Sequence, residues 1–242
     1  MLSEKISRYW RVSVAEVTGS TQDDIAQRIA DKKAIAGEVL TTEFQSAGRG
    51  RLDRKFDAPK SSALMFSIYI EPHRDKSDWS FLPLLTGLSV VFTLTTLDPE
   101  FSPKLKWPND ILVGEGKVGG IIAQATEAGV IIGVGINVAM TEEELPVVSA
   151  TSLALHNFPE LDRNIILSTF LNTFEELLKR WESGEDLRHL YSERSATVGQ
   201  EVRIEHPDGS HKNGKAVDVT PAGELILEDG SRVTVGDIVH LR

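Results

Sequence analysis

Glu43–Phe56 reads EFQSAGRGRLDRKF, and its second half alternates glycine with arginine, Gly48-Arg49-Gly50-Arg51, before Arg54 and Lys55. The chain as a whole is acidic, with 26 Lys and Arg against 36 Asp and Glu, so four cations in seven positions require a reason. Glycine lets backbone N–H groups come close to a ligand. Arginine offers paired donors that match phosphate or carboxylate oxygens two at a time. Together they suggest a loop that closes over a polyanion. By itself the stretch also reads as a solvated turn with surface arginines.

Working outward, residues 36–44 read as a buried strand that delivers Gln45 and the loop at its end, where ligands of mixed α/β sheets commonly bind. Upstream, residues 10–16 alternate as a strand. Ser20 and Thr21 precede a helical stretch to about Lys33, and either hydroxyl is placed to cap it. Downstream come a strand over 62–70 and a helix over 81–97, with Phe81, Leu84, Leu85, Leu88, Val91 and Phe92 on one stripe. Short strands at 105–107 and 111–113 bracket the turn Pro108-Asn109-Asp110. A hairpin at 114–116 leads to strand 118–124, and 130–138 follows as a buried strand. The spacing of Leu167, Phe170, Leu171, Phe174, Leu177, Leu178 and Trp181 predicts a helix over 164–181, ended by Gly184. Residues 182–196 are charged and read as a connector. From Val198 short strands alternate with turns at 207–209, 221–223, 229–230 and 236–237, the pattern of a small β module.

Composition narrows the field. The chain has 242 residues, 40% hydrophobic and 26% charged, enough for one large domain or a domain with a small module. It has no cysteine, so disulfides, thiolate metal sites and a cysteine nucleophile are excluded. A net charge of −10 weighs against a general nucleic-acid binder. No secretory signal is read at the N-terminus, and the apolar run 81–97 reads as too short to span a membrane. The expectation is a cytoplasmic protein that binds neither DNA nor membrane.

Four motifs keep order and spacing: Ser20-Thr21-Gln22, the glycine–arginine loop, Lys104-Leu105-Lys106-Trp107-Pro108-Asn109-Asp110, and Gly116-Lys117-Val118-Gly119-Gly120-Ile121, followed by Gly133-Val134-Gly135-Ile136-Asn137. In this order they resemble the catalytic domain of the biotin protein ligases, and the resemblance covers nearly the whole chain. It implies an α+β fold: a mixed sheet with packed helices, like class II aminoacyl-tRNA synthetases and biotin ligases, over residues 1–190, then a small SH3-like β-barrel over 195–242. It also implies a two-step reaction. Biotin is activated by ATP to biotinyl-5′-AMP and then passed to a lysine of a biotin carboxyl carrier domain, by a monomer or a homodimer.

The resemblance assigns residues to roles. Arg51 and Lys117 would bridge the biotin carboxylate and the α-phosphate, since two anions must be brought together. Asp110 would assist loss of the acceptor lysine's proton. Ser20, Thr21, Gln22, Gln45, Gly48, Arg49, Gly50, Gly120 and Gly133 would line the biotin site with Arg51 and Lys117. Arg49, Arg51, Arg54, Phe56, Asn109, Lys117 and Asn137 would meet the nucleotide. No dedicated metal cage is legible, so Mg²⁺ would arrive with ATP. The chain departs from the family pattern at Leu52, Asp53 and Phe56, where Arg, Gly and Trp are usual, and at Gln22, where Asn is usual. A lipoate-protein ligase, or a non-catalytic biotin-sensing regulator, is the alternative.

Overall fold

Alternation decides which side of the main sheet each residue serves. The computed structural model describes residues 7–52 and 54–241. In it β1 (Arg11–Ala15), β2 (Glu38–Thr42), β3 (Ala63–Ile70), β7 (Val130–Asn137), β6 (Gly116–Ala125), β5 (Asp110–Val113) and β4 (Lys104–Lys106) lie side by side in that order. Only β1 and β2 run parallel; the other neighbours are antiparallel, and β3 pairs with β7 from Ala63↔Asn137 to Ile70↔Val130. Leu64, Phe66, Ile68 and Ile70 of β3 join Val130, Ile132, Val134 and Ile136 of β7 in the main core. The alternate residues face the other way, where Ile25 of α1 (Thr21–Ala30) packs on Tyr69 and Ile131. That second face is only partly covered, and the cleft lies on it.

The covered face is closed by α2 (Leu82–Leu97) and α3 (Arg163–Glu182), which pack on each other. Helix α3 matches the spacing of its apolar residues, starts on Asp162, whose side chain accepts from Asn164 N–H at 2.8 Å, and is followed by Gly184 at φ 92°. Helix α2 differs from the single stripe expected: Leu82, Leu84 to Val91, Thr93 and Leu94 are all buried. It accommodates polar residues in a dry core because Thr86, Ser89 and Thr93 donate to carbonyls four residues back, at 2.7–2.8 Å. A 3-10 turn over Lys76–Phe81 prolongs it, so Lys76–Leu97 is long and apolar enough to cross a membrane, contrary to the reading of 81–97 alone. Within the fold it is a core helix.

The segment read as a charged connector contains α4 (Arg188–Arg194), whose Tyr191 is buried against the main core. Its apolar positions are too few for a periodic signal. The last five strands, β8 (Glu201–Glu205), β9 (His211–Val219), β10 (Leu225–Leu227), β11 (Arg232–Val233) and β12 (Asp237–His240), form an antiparallel sheet in the order β11-β10-β9-β8-β12. This is the small C-terminal β module expected; among the described residues no pairing of β11 with β12 closes the sheet into a full barrel. Trp107 ties this sheet to the first: its indole N–H donates to Gly223 O at 2.9 Å, and Thr197 Oγ1 accepts from Trp107 N–H at 3.1 Å.

Candidate active site

The floor of the cleft is glycine because other side chains need the room. A Cβ on Gly135 would stand 2.6 Å from ring carbons of Phe56, and one on Gly133 would stand 2.7 Å from Gln22 Oε1. Both glycines lie on β7, facing away from the main core. Over this floor the glycine–arginine loop folds back on itself. Gly50 N–H donates to Arg54 O at 2.7 Å and Phe56 N–H to Gly48 O at 3.0 Å, with Arg49 and Lys55 bridged between them. Gly48 belongs to this turn, where its Cβ would collide with Phe56 O at 2.2 Å, and it lines the recess that adjoins the cleft together with Arg49, Gly50 and Arg51. Leu52, at the loop tip, has φ 53°, a left-handed conformation that costs a non-glycine residue about 1–2 kcal/mol. Asp53, which stands where the family pattern has Gly, lies outside the described residues.

At one end of the cleft, of about 230 Å³, stand Ser20, Thr21, Gln22, Gln45 and Gly133. The caps expected of Ser20 and Thr21 are not made: Ser20 forms no side-chain cap, and Gln45 Oε1 serves instead, accepting from Thr21 N–H at 2.8 Å and from its hydroxyl at 3.2 Å. Thr18, not Ser20, donates to Asp24. Ser67 of β3 completes the group. Its hydroxyl lies 2.8 Å from Thr21 Oγ1 and donates to Gln22 Oε1 at 3.3 Å. Ser67 was missed by sequence reasoning, although a fully buried serine in an otherwise apolar strand is itself a signal.

At the other end the cations gather. Lys117 Nζ is 2.5 Å from Asp110 Oδ1, and both sit beside Gly120. Arg51 donates to Asn109 Oδ1 at 3.1 Å, and Asn109 in turn donates through Nδ2 to Ile121 O at 2.9 Å. Burial pushes the Arg51 guanidinium down from its usual value, and Asp237 opposes the shift. Arginine nevertheless keeps its charge in proteins. Arg49 also lines the cleft and pairs with Asp23 at 2.6 Å. Arg54 pairs with Asp237, whose other oxygen lies 3.8 Å from Arg51. Asp237 comes from β12, 183 positions away from Arg54, and nothing near either residue in sequence announces the contact.

Of the residues expected to line the site, Asn137 is placed differently. Its side-chain amide donates to Thr151 O at 2.8 Å, and it is not part of the cleft lining. The segment it holds is useful all the same, because Ser149 O accepts from Lys117 N–H and Lys117 O from Thr151 N–H, both at 2.8 Å. Asn137 thus fixes the strand segment that clamps Lys117. Among the described residues no group of three or more His, Cys, Asp or Glu side chains could hold a metal ion.

A cleft with clustered cations, and the carboxylates of Asp110 and Asp237 among them, at the end of a polar recess can bring two anions together, the requirement of an enzyme that activates a carboxylic acid with a nucleotide. Comparison with known proteins agrees. The Biotin/lipoate A/B protein ligase family matches residues 14–138, and the biotin protein ligase C-terminal domain matches 197–241. A biotin–[acetyl-CoA-carboxylase] ligase of Mycobacterium tuberculosis is 37% identical over 241 residues, covering 96% of this chain and 90% of that one. A bifunctional ligase/repressor of Bacillus spizizenii is 29% identical, over 88% of this chain and 68% of its own. A biotin protein ligase of Aquifex aeolicus, solved with biotin and ATP, superposes with a TM-score of 0.81 at 28% identity, covering 96% of this chain and 99% of that one. The chain belongs to the biotin/lipoate ligase family, and it carries the C-terminal domain of the biotin protein ligases.

Proposed function

We infer that the protein activates biotin with ATP and transfers it to a lysine of a biotin carboxyl carrier domain. The observation that carries this reading is the meeting of Arg51 and Lys117 at one end of a cleft whose other end is the Thr21–Gln22–Gln45–Ser67 polar group. Biotin, a ring with hydrogen-bonding groups and a carboxylate on a flexible arm, fits such an arrangement lengthwise. Its ring would lie over Gly133 and its carboxylate would reach Lys117.

In the first step a carboxylate oxygen bonds to the α-phosphorus and the bond to pyrophosphate breaks. The carboxylate is already ionised at neutral pH, so no base is needed, only cations to offset the repulsion. Lys117 would leave Asp110 for the incoming oxygens, and Arg51 would approach from the loop. Mg²⁺ would come with the nucleotide, on its phosphates. In the second step the acceptor amine attacks the carbonyl carbon, AMP departs, and the amine's surplus proton is lost. Asp110, freed of Lys117, is the carboxylate placed to take it. The ring of Phe56, over Gly135, offers the adenine an aromatic face. Net charge −10 supports a protein partner over DNA.

The test is biotin-dependent exchange of labelled pyrophosphate into ATP, with lipoate as the competing substrate. Wild type should exchange with biotin and not with lipoate. Arg51→Ala and Lys117→Ala should each lose about 10²–10³-fold in rate while unfolding at the wild-type temperature. Exchange supported by lipoate, or retained by both variants, would refute the reading.

A further inference from the structure

Arg51 and Lys117 meet the α-phosphate, but the pyrophosphate that departs needs a protein cation of its own beside any Mg²⁺ it carries. Most cations of the cleft are already answered. Arg49 has Asp23, Arg51 has Asn109 and Asp237, Arg54 has Asp237, and Lys117 has Asp110. Lys106 is different. It lines the same cleft and is half-buried, yet it has no carboxylate within ion-pair distance among the described residues. Lys55 also lacks one, but it is exposed to water.

Register fixes where Lys106 stands. Met65, Gly135, Gly120, Asp110 and Lys106 are successive partners across β3, β7, β6, β5 and β4, so they share one face of the sheet. With strands about 4.8 Å apart, Lys106 lies about 10 Å from Gly120 along that row. The recess that would take biotin lies over the neighbouring row, Ser67–Gly133–Ile122, toward β3. Displacement at phosphorus is in line, so the leaving group departs on the side opposite the attacking oxygen. Attack from the β3–β7 side at Lys117 sends it toward β5 and β4, where Lys106 is.

We propose that Lys106 binds the β- and γ-phosphates of ATP and receives the pyrophosphate as it leaves. As the carboxylate oxygen bonds to the α-phosphorus, the electron pair of the breaking bond passes to the bridging oxygen of pyrophosphate. The Lys106 side chain lies where that charge grows and offsets it. The residue is held for the task from both sides: Leu105 O accepts from Ala196 N–H at 2.7 Å, and Trp107 N–H donates to Thr197 Oγ1. The nearby His240 imidazole is pushed down by burial and then by the Lys106 charge.

This inference rests on the ligase reading, and the half-reactions separate the two. Lys106→Gln keeps the aliphatic stem, and Lys106→Arg keeps the charge. Adenylation is followed by pyrophosphate exchange, and transfer by supplying preformed biotinyl-5′-AMP with an acceptor domain. Lys106→Gln should lower kcat/KM for ATP in adenylation by about 10²-fold and weaken inhibition by pyrophosphate in parallel. Transfer should slow by less than about threefold, and Lys106→Arg should recover most of the adenylation loss. Equal losses in both half-reactions, a loss confined to transfer, or no loss in either would overturn it. Absence of exchange by the wild type would overturn the ligase reading itself.

Discussion

Gly135 shows how a single missing side chain shapes the site. The Phe56 ring occupies the space its Cβ would need, and Phe56 also packs with the small cluster of Ala58, Ala63, Met65 and Met140. Gly135→Ala therefore cannot keep both the strand and the ring where they are. The strand, paired on both sides, is the stiffer of the two. Phe56 should move, and with it the Phe56–Gly48 hydrogen bond that closes the loop. The variant should release biotinyl-5′-AMP about tenfold faster, a change of roughly 1.4 kcal/mol in retention, with little change in Tm. Release at the wild-type rate would show that Phe56 does not hold the lid. The same scale explains the replacement of tryptophan by phenylalanine here: the smaller ring still seats on a glycine floor.

At the scale of elements, residues 48–50 and 54–56 pair despite the charge they carry. Arg49, Arg51, Arg54 and Lys55 repel one another, yet Gly50 N–H reaches Arg54 O and Phe56 N–H reaches Gly48 O, with Arg49 and Lys55 bridged. The repulsion is offset by Asp23, Asn109 and Asp237, which lie far off in sequence. Those exposed pairs are each worth no more than about 1 kcal/mol, so a bound adenylate still has stability to add. Biotin with ATP should slow tryptic cleavage within residues 49–55 by at least about tenfold. Equal rates with and without ligand would mean that the empty loop is already as closed as it becomes.

The loop also marks the limit of what was legible. The glycine–arginine pattern, the Lys117 and Asp110 motifs and the long helix α3 declare themselves through local spacing. Helix α4 does not, because its seven residues bury one tyrosine and show no period. The amide of Asn137 turned to Thr151 and the carboxylate of Asp237 turned to Arg54 depend on tertiary contact alone. The misjudged caps at Ser20 and Thr21 have the same origin: a glutamine from another element took the position.

For the molecule as a whole, Asp237 makes the C-terminal sheet part of the cleft wall, beside Ile238. Asp237→Asn removes the acceptor that holds Arg54 and steadies Arg51. We expect KM for ATP to rise by up to about fivefold, in keeping with a partly exposed ion pair, while biotin binding in the absence of ATP stays within error. An equal weakening of both ligands would point to general loosening of the fold. A KM that does not change would remove Asp237 from the nucleotide's surroundings.

The contact between Arg54 and Asp237 also has a consequence in time. The two residues are 183 positions apart, and a ribosome adding roughly 5–20 residues per second takes about 10–40 s to travel from one to the other. Throughout that interval the nascent chain carries its arginine loop without the carboxylate that will hold it, exposed to any polyanion nearby, ribosomal RNA included. The wall of the cleft is finished only once β12 has been made. Completion of the catalytic cleft is therefore tied to synthesis of β12, and a chain truncated short of β12 would keep its motifs yet lack the residue that gathers them.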